Sequence, residues 1–299
     1  MSERPSLRGI FPPLTTPFSP SERVDLPALE ANLDHYNQLR LAGYVVLGST
    51  GESVFLREKE KLAVLEAARI AAAPEKILLA GTGCEATTET LELTRRAAAF
   101  GYHAALVRTP SYFKPQMTPA ALERHYCAVA DASPIPLVVY AVPQFTGLAV
   151  EAPLVARLAA HPNIIGIKES SGDVKRLGEI LQAAPTDFAV LAGSATALYA
   201  SLALGARGGI LAAACVLPEL CVALYEAFVN GDDQRARALQ ERLDEPALAV
   251  TSRFGVAGLK FAMQLRGYAG GPARAPLLPL EVEARVELQR IFAALEASD

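Results

Sequence analysis

Metal-binding spacing is missing from this chain. Its four cysteines (Cys84, Cys127, Cys215 and Cys221) contain no CxxC pair, and its four histidines (His35, His103, His125 and His161) form no His-x-His or HExxH pattern. Neither a zinc site nor a disulfide framework is supported, and no metal or cofactor is expected. Cys215, inside Ala212-Ala213-Ala214-Cys215-Val216, reads as a small buried hydrophobe. Long apolar runs are missing too. The longest candidate, Gly208 to Pro218, falls short of the about 20 residues that a bilayer span needs. The first thirty residues carry Arg4, Arg8, Glu22 and Asp25 and no unbroken apolar stretch. No signal peptide is therefore read, and a cytoplasmic location is expected. Nor is there an excess of cations. A net charge of −4 and a pI near 5.7 leave no footprint for nucleic acid or an anionic membrane, so neither is expected as a partner.

What is abundant is apolar material: 51% of the 299 residues are hydrophobic, and the mean hydropathy is +0.23. That implies a large core, and α/β barrels routinely reach about 200–250 residues as one unit. Short apolar segments recur at Gly9–Pro17, Tyr44–Ser49, Ile77–Gly81, Ala104–Thr109, Leu137–Tyr140, Ile164–Lys168, Phe188–Gly193 and Gly208–Ala212. Helical patterns separate them. Thr87-Thr88-Glu89-Thr90 opens one helix and Gly101 closes it, while Leu177, Ile180 and Leu181 mark the stripe of another. Eight strand–helix repeats predict an α/β fold with a closed (β/α)8 TIM barrel; an open doubly wound sheet is the second choice. After Asn230-Gly231-Asp232-Asp233 the strand signals stop. Helices are expected over Gln234–Val250, over Phe254–Arg266 and from about Leu280, with a bend at Gly270-Gly271-Pro272. The chain thus divides into a barrel over 1–231 and a helical extension over 232–299.

In a barrel the working residues gather at the carboxyl ends of strands. Only one of the seven lysines, Lys168, ends an apolar run, Ile164-Ile165-Gly166-Ile167. An ammonium there is costly unless paired or neutralised, and burial lowers a lysine's pKa from about 10.4. A neutral amine at that place is a nucleophile toward ketones. A lysine that snorkels out of the strand end is the competing reading. Tyr140 ends the preceding strand, so its phenol can meet Lys168 and move protons, or simply plug the barrel mouth. Gly48-Ser49-Thr50-Gly51 offers hydroxyls and backbone N–H groups suited to a carboxylate, or an ordinary turn that caps the next helix. It is not a P-loop, because the GK[ST] ending is absent.

Three segments carry a family resemblance: Gly48-Ser49-Thr50-Gly51-Glu52, Tyr140-x-Val142-Pro143-x-x-Thr146-Gly147, and Gly166-Ile167-Lys168-Glu169-Ser170-Ser171-Gly172-Asp173. They resemble signatures of the dihydrodipicolinate synthase / N-acetylneuraminate lyase family, pyruvate-handling class I aldolases on a TIM barrel. The resemblance runs from about Ile10 to the last helices. It implies that Lys168 forms a Schiff base with pyruvate and that Tyr140 transfers protons through Ser49 to Tyr112. It also implies that Tyr112 reaches a neighbouring subunit, so a homo-oligomer, dimer or tetramer, is expected. Gly48, Ser49 and Thr50 would hold the pyruvate carboxylate, with Gly193 and Ile210 shaping the pocket. Phe145 stands where synthases carry an arginine that grips the carboxylate of aspartate semialdehyde. Ala141 and Ser111 also depart from the synthase pattern, at an asparagine and at the first tyrosine of a Tyr-Tyr pair. Gly81-Thr82-Gly83-Cys84-Glu85 and the tail (Glu245-Pro246, Arg253 to Lys260, Gly270 to Leu277) are similar to 4-hydroxy-2-oxoglutarate aldolases. The expected partners are thus pyruvate and an aldehyde, with 4-hydroxy-2-oxoglutarate cleavage first. Synthase chemistry comes second, a sugar-acid aldolase or hydratase-aldolase third, and a keto-acid-binding barrel without turnover last.

Overall fold

Prolines produce the first difference between expectation and structure. Of the stretch Gly9–Pro17 only Gly9–Phe11 forms a strand, β1, because Pro12, Pro13 and Pro17 have no N–H to give to a ladder. Pro13 keeps one parallel bridge to Val45. The computed structural model describes residues 4–297. Its remaining strands are β2 (Gly43–Val46), β3 (Ile77–Gly81), β4 (Ala104–Arg108), β5 (Leu137–Ala141), β6 (Ile164–Glu169), β7 (Ala189–Ala192) and β8 (Gly208–Ile210). These lie where the apolar segments predict them. β2 stops early because Leu47 takes a left-handed φ of 64°, and β8 gives way to a 3-10 turn at Ala212–Cys215.

The strands form one eight-stranded sheet in the order β1-β8-β7-β6-β5-β4-β3-β2. Between them run α1 (Leu26–Asn37), α2 (Glu58–Ala71), α3 (Thr87–Ala99), α4 (Pro119–Ala132), the short α5 (Pro143–Thr146), α6 (Ala152–Ala159), α7 (Val174–Ala183) and α8 (Leu198–Leu204). After β8 come α9 (Pro218–Val229), α10 (Asp233–Leu248), α11 (Gly255–Leu265) and α12 (Val282–Glu296). This is the (β/α)8 TIM-barrel fold with C-terminal helices. No helix among the described residues is long and apolar enough to cross a membrane.

Two compact units can be distinguished. One comprises the chain through Gly9 together with Ile77–Ile210; the other comprises Ile10–Lys76 and Leu211 onward. The division proposed after Gly231 falls between α9 and α10, inside the second unit.

In the first unit, Val107, Val139, Ile167 and Val190 of successive strands pack on Tyr126 and Val129 of α4, Leu154 and Leu158 of α6, and Leu177 and Ile180 of α7. Each such side chain contributes about 1.5–3 kcal/mol when buried. Leu181 of the predicted α7 stripe sits at the edge of this cluster. α3 begins at Thr87 as expected, but Thr87 does not cap it: Ala86 holds that position without a side-chain bond. The Thr87 hydroxyl pairs instead with His125 Nδ1 at 2.9 Å.

In the second unit, α1 buries Leu29, Leu33 and Tyr36. The Tyr36 hydroxyl donates to the Cys215 carbonyl at 2.6 Å, and its ring stacks on Tyr268 at 4.9 Å. Burial drives that phenol well above its ordinary pKa. Cys215 is fully buried and its thiol points at the Pro13 carbonyl, 3.1 Å away, which fits the hydrophobe reading. The tail helices start and stop within a few residues of expectation, with a π-turn at Ala249–Arg253 between α10 and α11.

Candidate active site

β5 and β6 pair in parallel with Tyr140 directly opposite Lys168, and Leu191 of β7 lies on the other side of Lys168. Val139 and Ile167 belong to the helix-packed core. Alternation along a strand therefore turns the next residues, Tyr140 and Lys168, to the opposite face of the sheet. Lys168 is 5% exposed and Tyr140 6%. The Lys168 Nζ lies 4.3 Å from the centroid of the Tyr140 ring. Among the described residues the ammonium makes no hydrogen bond or ion pair. A cation over an aromatic face gains about 0.5–2 kcal/mol. The nitrogen is uncommitted, as a nucleophile must be.

The chain beyond Lys168 is tightly fixed. Glu169 points the other way, is 2% exposed, and accepts the Ser171 N–H at 3.1 and 3.2 Å. Burial raises its carboxyl pKa, with the Ser171 bonds working against that rise. Ser170 donates its N–H to the Ala141 carbonyl at 3.0 Å, and its own carbonyl accepts from Gln144 Nε2 at 2.9 Å. Its buried hydroxyl has no partner. A Cβ at Gly193 would lie 1.9 Å from that hydroxyl, so only glycine fits beside Ser170. Asp173 caps α7 through the N–H groups of Lys175 and Arg176. Ile210 closes β8 and is fully buried.

Tyr112 and Phe145 are placed differently. Tyr112 is 80% exposed in the loop after β4 and meets Phe113 edge-on at 5.0 Å; Phe145, on α5, is 69% exposed. The Tyr112 loop is anchored by Glu85, which accepts the N–H groups of Ser111 (2.8 Å) and Tyr112 (2.9 Å) and pairs with Arg108 at 2.8 Å. Burial works to raise the Glu85 carboxyl, but these three donors hold it below its usual range. Sequence reasoning took Glu85 only as part of a family motif. An acid 27 residues ahead of Tyr112, with a helix and a strand between them, gave no local sign of that anchoring role.

Gly48, Ser49 and Thr50 belong to the second unit. They form a β-turn closed by the Gly51 N–H on the Gly48 carbonyl at 3.1 Å, and the Glu52 N–H bonds to the Ser49 carbonyl at 3.0 Å. Ser49 and Thr50 are half-buried. Left-handed residues bracket the turn, Leu47 at φ 64° and Glu52 at φ 52°. For non-glycine residues such conformations cost on the order of 1–3 kcal/mol each and need support from around them. That support includes a buried pair, Glu52 with Lys260, that sequence reasoning passed over. Its only local signal was a lysine inside Leu259-Lys260-Phe261-Ala262-Met263. No group of three or more His, Cys, Asp or Glu among the described residues could hold a metal ion.

The profile of the dihydrodipicolinate synthetase family matches residues 6–295. The chain is 36% identical over 286 residues to a 4-hydroxy-tetrahydrodipicolinate synthase of Methanothrix thermoacetophila, covering 95% of this chain and 96% of that one. It is 38% identical over 272 residues to a protein of the same name from Methanospirillum hungatei, covering 90% and 92%. Among solved structures, the chloride-inhibited dihydrodipicolinate synthase of Acinetobacter baumannii complexed with pyruvate superposes with a TM-score of 0.93 at 30% identity, covering 97% and 99%.

Proposed function

The chain belongs to the dihydrodipicolinate synthetase family of Schiff-base-forming lyases, and from that premise we propose that it holds pyruvate as an imine on Lys168 and joins it to, or releases it from, an aldehyde. The observation that carries this reading is the Lys168–Tyr140 pair, with an uncommitted amine 4.3 Å from a phenol ring. The amine adds to the keto carbon, and the carbinolamine loses water to give the imine. The imine then draws electrons from the adjacent methyl group, which loses a proton and becomes the enamine nucleophile. Tyr140 is the phenol that supplies and removes these protons. Ser49 and Thr50, with Gly48, are assigned to the pyruvate carboxylate, and Gly193 and Ile210 to the shape of the pocket. Tyr112 relays protons through Ser49 in a neighbouring copy. The exposure of Tyr112, Phe113 and Phe145 supports a homo-oligomer.

The relatives' names support 4-hydroxy-tetrahydrodipicolinate synthase chemistry, a condensation with aspartate semialdehyde. Phe145 weighs against that chemistry, since it offers an apolar ring where a guanidinium would grip the semialdehyde's carboxylate bidentately. The second reading, cleavage of 4-hydroxy-2-oxoglutarate to pyruvate and glyoxylate, rests on the likeness of Gly81–Glu85 and of the tail to those aldolases. A single panel decides between them. Condensation with aspartate semialdehyde is compared with pyruvate release from 4-hydroxy-2-oxoglutarate and from sugar-derived 2-oxo acids. Efficient condensation establishes the synthase reading. Efficient release from 4-hydroxy-2-oxoglutarate, with a kcat/KM for the semialdehyde at least about 100-fold lower, establishes the second.

A further inference from the structure

Within the second unit, the turn assigned to the pyruvate carboxylate is tied to the C-terminal segment by charges that the imine chemistry does not use. Lys260 and Glu52 are both 1% exposed and pair at 2.5 Å. The remaining Lys260 donors go to the carbonyls of Thr16 and Pro272, each at 2.8 Å. Thr16 in turn donates its hydroxyl to the Gly51 carbonyl at 2.7 Å. Lys260 therefore reaches the turn by two routes, through Glu52 at its exit and through Thr16 onto Gly51. Burial lowers the Lys260 ammonium's pKa, and the Glu52 carboxylate opposes that fall.

Arg274 completes the arrangement. Its N–H donates to Glu52 at 2.8 Å, and its guanidinium grips both oxygens of Glu60 at 2.9 Å and the Phe55 carbonyl at 3.1 Å. Two cations flank one ring: Lys260 Nζ lies 4.3 Å and Arg274 Cζ 4.2 Å from Phe18. The Gly270-Gly271-Pro272 bend lies against this contact, and its glycines leave no room for a side chain. A Cβ at Gly270 would strike the Lys260 carbonyl at 2.0 Å, and one at Gly271 the Phe18 carbonyl at 2.6 Å. Glu52 pairs with Lys260 and Glu60 with Arg274, so each of the two cations has a carboxylate partner. The cluster's members come from both ends of the unit's sequence, and the residue on which they converge is Glu52, one of the two left-handed residues that bracket the turn.

We propose that Lys260, Glu52 and Arg274 are positioning residues that set the donor geometry of the Gly48–Gly51 turn, and through it the affinity for the keto-acid carboxylate. The inference rests on the assignment of that turn to pyruvate. A scaffold role alone would make the amount of folded protein depend on the cluster, but not the pyruvate concentration at which the folded protein half-saturates.

Pyruvate itself is the probe, with borohydride trapping of the Lys168 imine measured as a function of pyruvate concentration; no acceptor aldehyde is needed. The variants are the charge-neutral double substitution Glu52→Gln with Lys260→Met, the milder Thr16→Val, which removes only the bond to Gly51, and Thr50→Val as the direct test of the turn. The double variant and Thr16→Val should raise half-saturating pyruvate, roughly tenfold and threefold respectively, while the maximal trapped fraction of folded protein stays within about twofold of wild type. Half-saturation unchanged in both, with Thr50→Val raised, overturns the positioning role and leaves the turn assignment standing. Unchanged half-saturation in Thr50→Val removes the turn from pyruvate binding, and the proposal with it. If the double variant does not fold, Thr16→Val decides alone.

Discussion

Lys168 and Lys260 are both withdrawn from water, at 5% and 1% exposure, and each ammonium sits 4.3 Å from the centre of an aromatic ring. Their polar surroundings are opposite. Lys260 has a carboxylate and two carbonyls within hydrogen-bonding reach; Lys168 has Tyr140. A buried cation that is fully paired is fixed and unreactive, and removing it strands its partners. A buried amine that is left unpaired strands nothing when removed, and its nitrogen is free to bond covalently. Burial alone does not mark a reactive lysine. What distinguishes the two is the set of groups pointed at the nitrogen.

The contrast predicts a double dissociation. Lys168→Met should abolish turnover, by at least about 10⁴-fold, while changing unfolding free energy by less than about 1 kcal/mol. Denaturant titration of the same preparation checks both halves, and a large stability loss would mean that Lys168 has a structural partner after all. Tyr140→Phe should lower kcat by roughly 10²–10⁴-fold if the phenol transfers protons. A change within twofold would reduce Tyr140 to a ring that packs against the lysine. Lys260→Met alone should cost about 3–5 kcal/mol, because it leaves the buried Glu52 carboxyl with the Arg274 N–H but without its cation. Thermal and urea unfolding read that loss, and a neutral result would place Lys260 with Lys168 rather than opposite it.

His125 is a third buried base in the same unit as Lys168, and it is accommodated by staying neutral. Burial holds its pKa down to about 4, against a small opposing pull from Glu85. Unfolded, the ring takes a proton near pH 6.5; folded, it does not until about pH 4. Between those values the unfolded chain binds the extra proton, so stability falls as the pH drops from about 6.5 to about 4. The loss should reach roughly 3 kcal/mol. His125→Asn should remove this share of the slope in pH-dependent urea unfolding, and an unchanged slope would show that the ring titrates alike in the folded and unfolded chain.

The uncommitted lysine was legible in the sequence and the committed one was not, for a physical reason. β5 and β6 are short apolar runs with clear ends, and consecutive strands of a barrel are neighbours, so Tyr140 beside Lys168 follows from local pattern plus topology. The pairing of Lys260 with Glu52 depends on two segments at opposite ends of the chain and on a left-handed backbone at Glu52, neither of which leaves a periodic trace. The same limit applies at Gly9–Pro17, where apolar composition predicted a strand that the prolines cut short. It applies at Thr87 as well, whose hydroxyl was claimed by His125 from another helix. Phe145 shows a different limit. The motif around it marks the position, but an exposed apolar ring on a four-residue helix leaves no pattern that names an aldehyde.

The central claim is that the reactive lysine is the unpaired one. Incubation with pyruvate and borohydride, followed by peptide mapping, should place one reduced pyruvyl group on Lys168 and none on Lys260. An adduct on another lysine, an adduct that persists in Lys168→Met, or no adduct at all would contradict it.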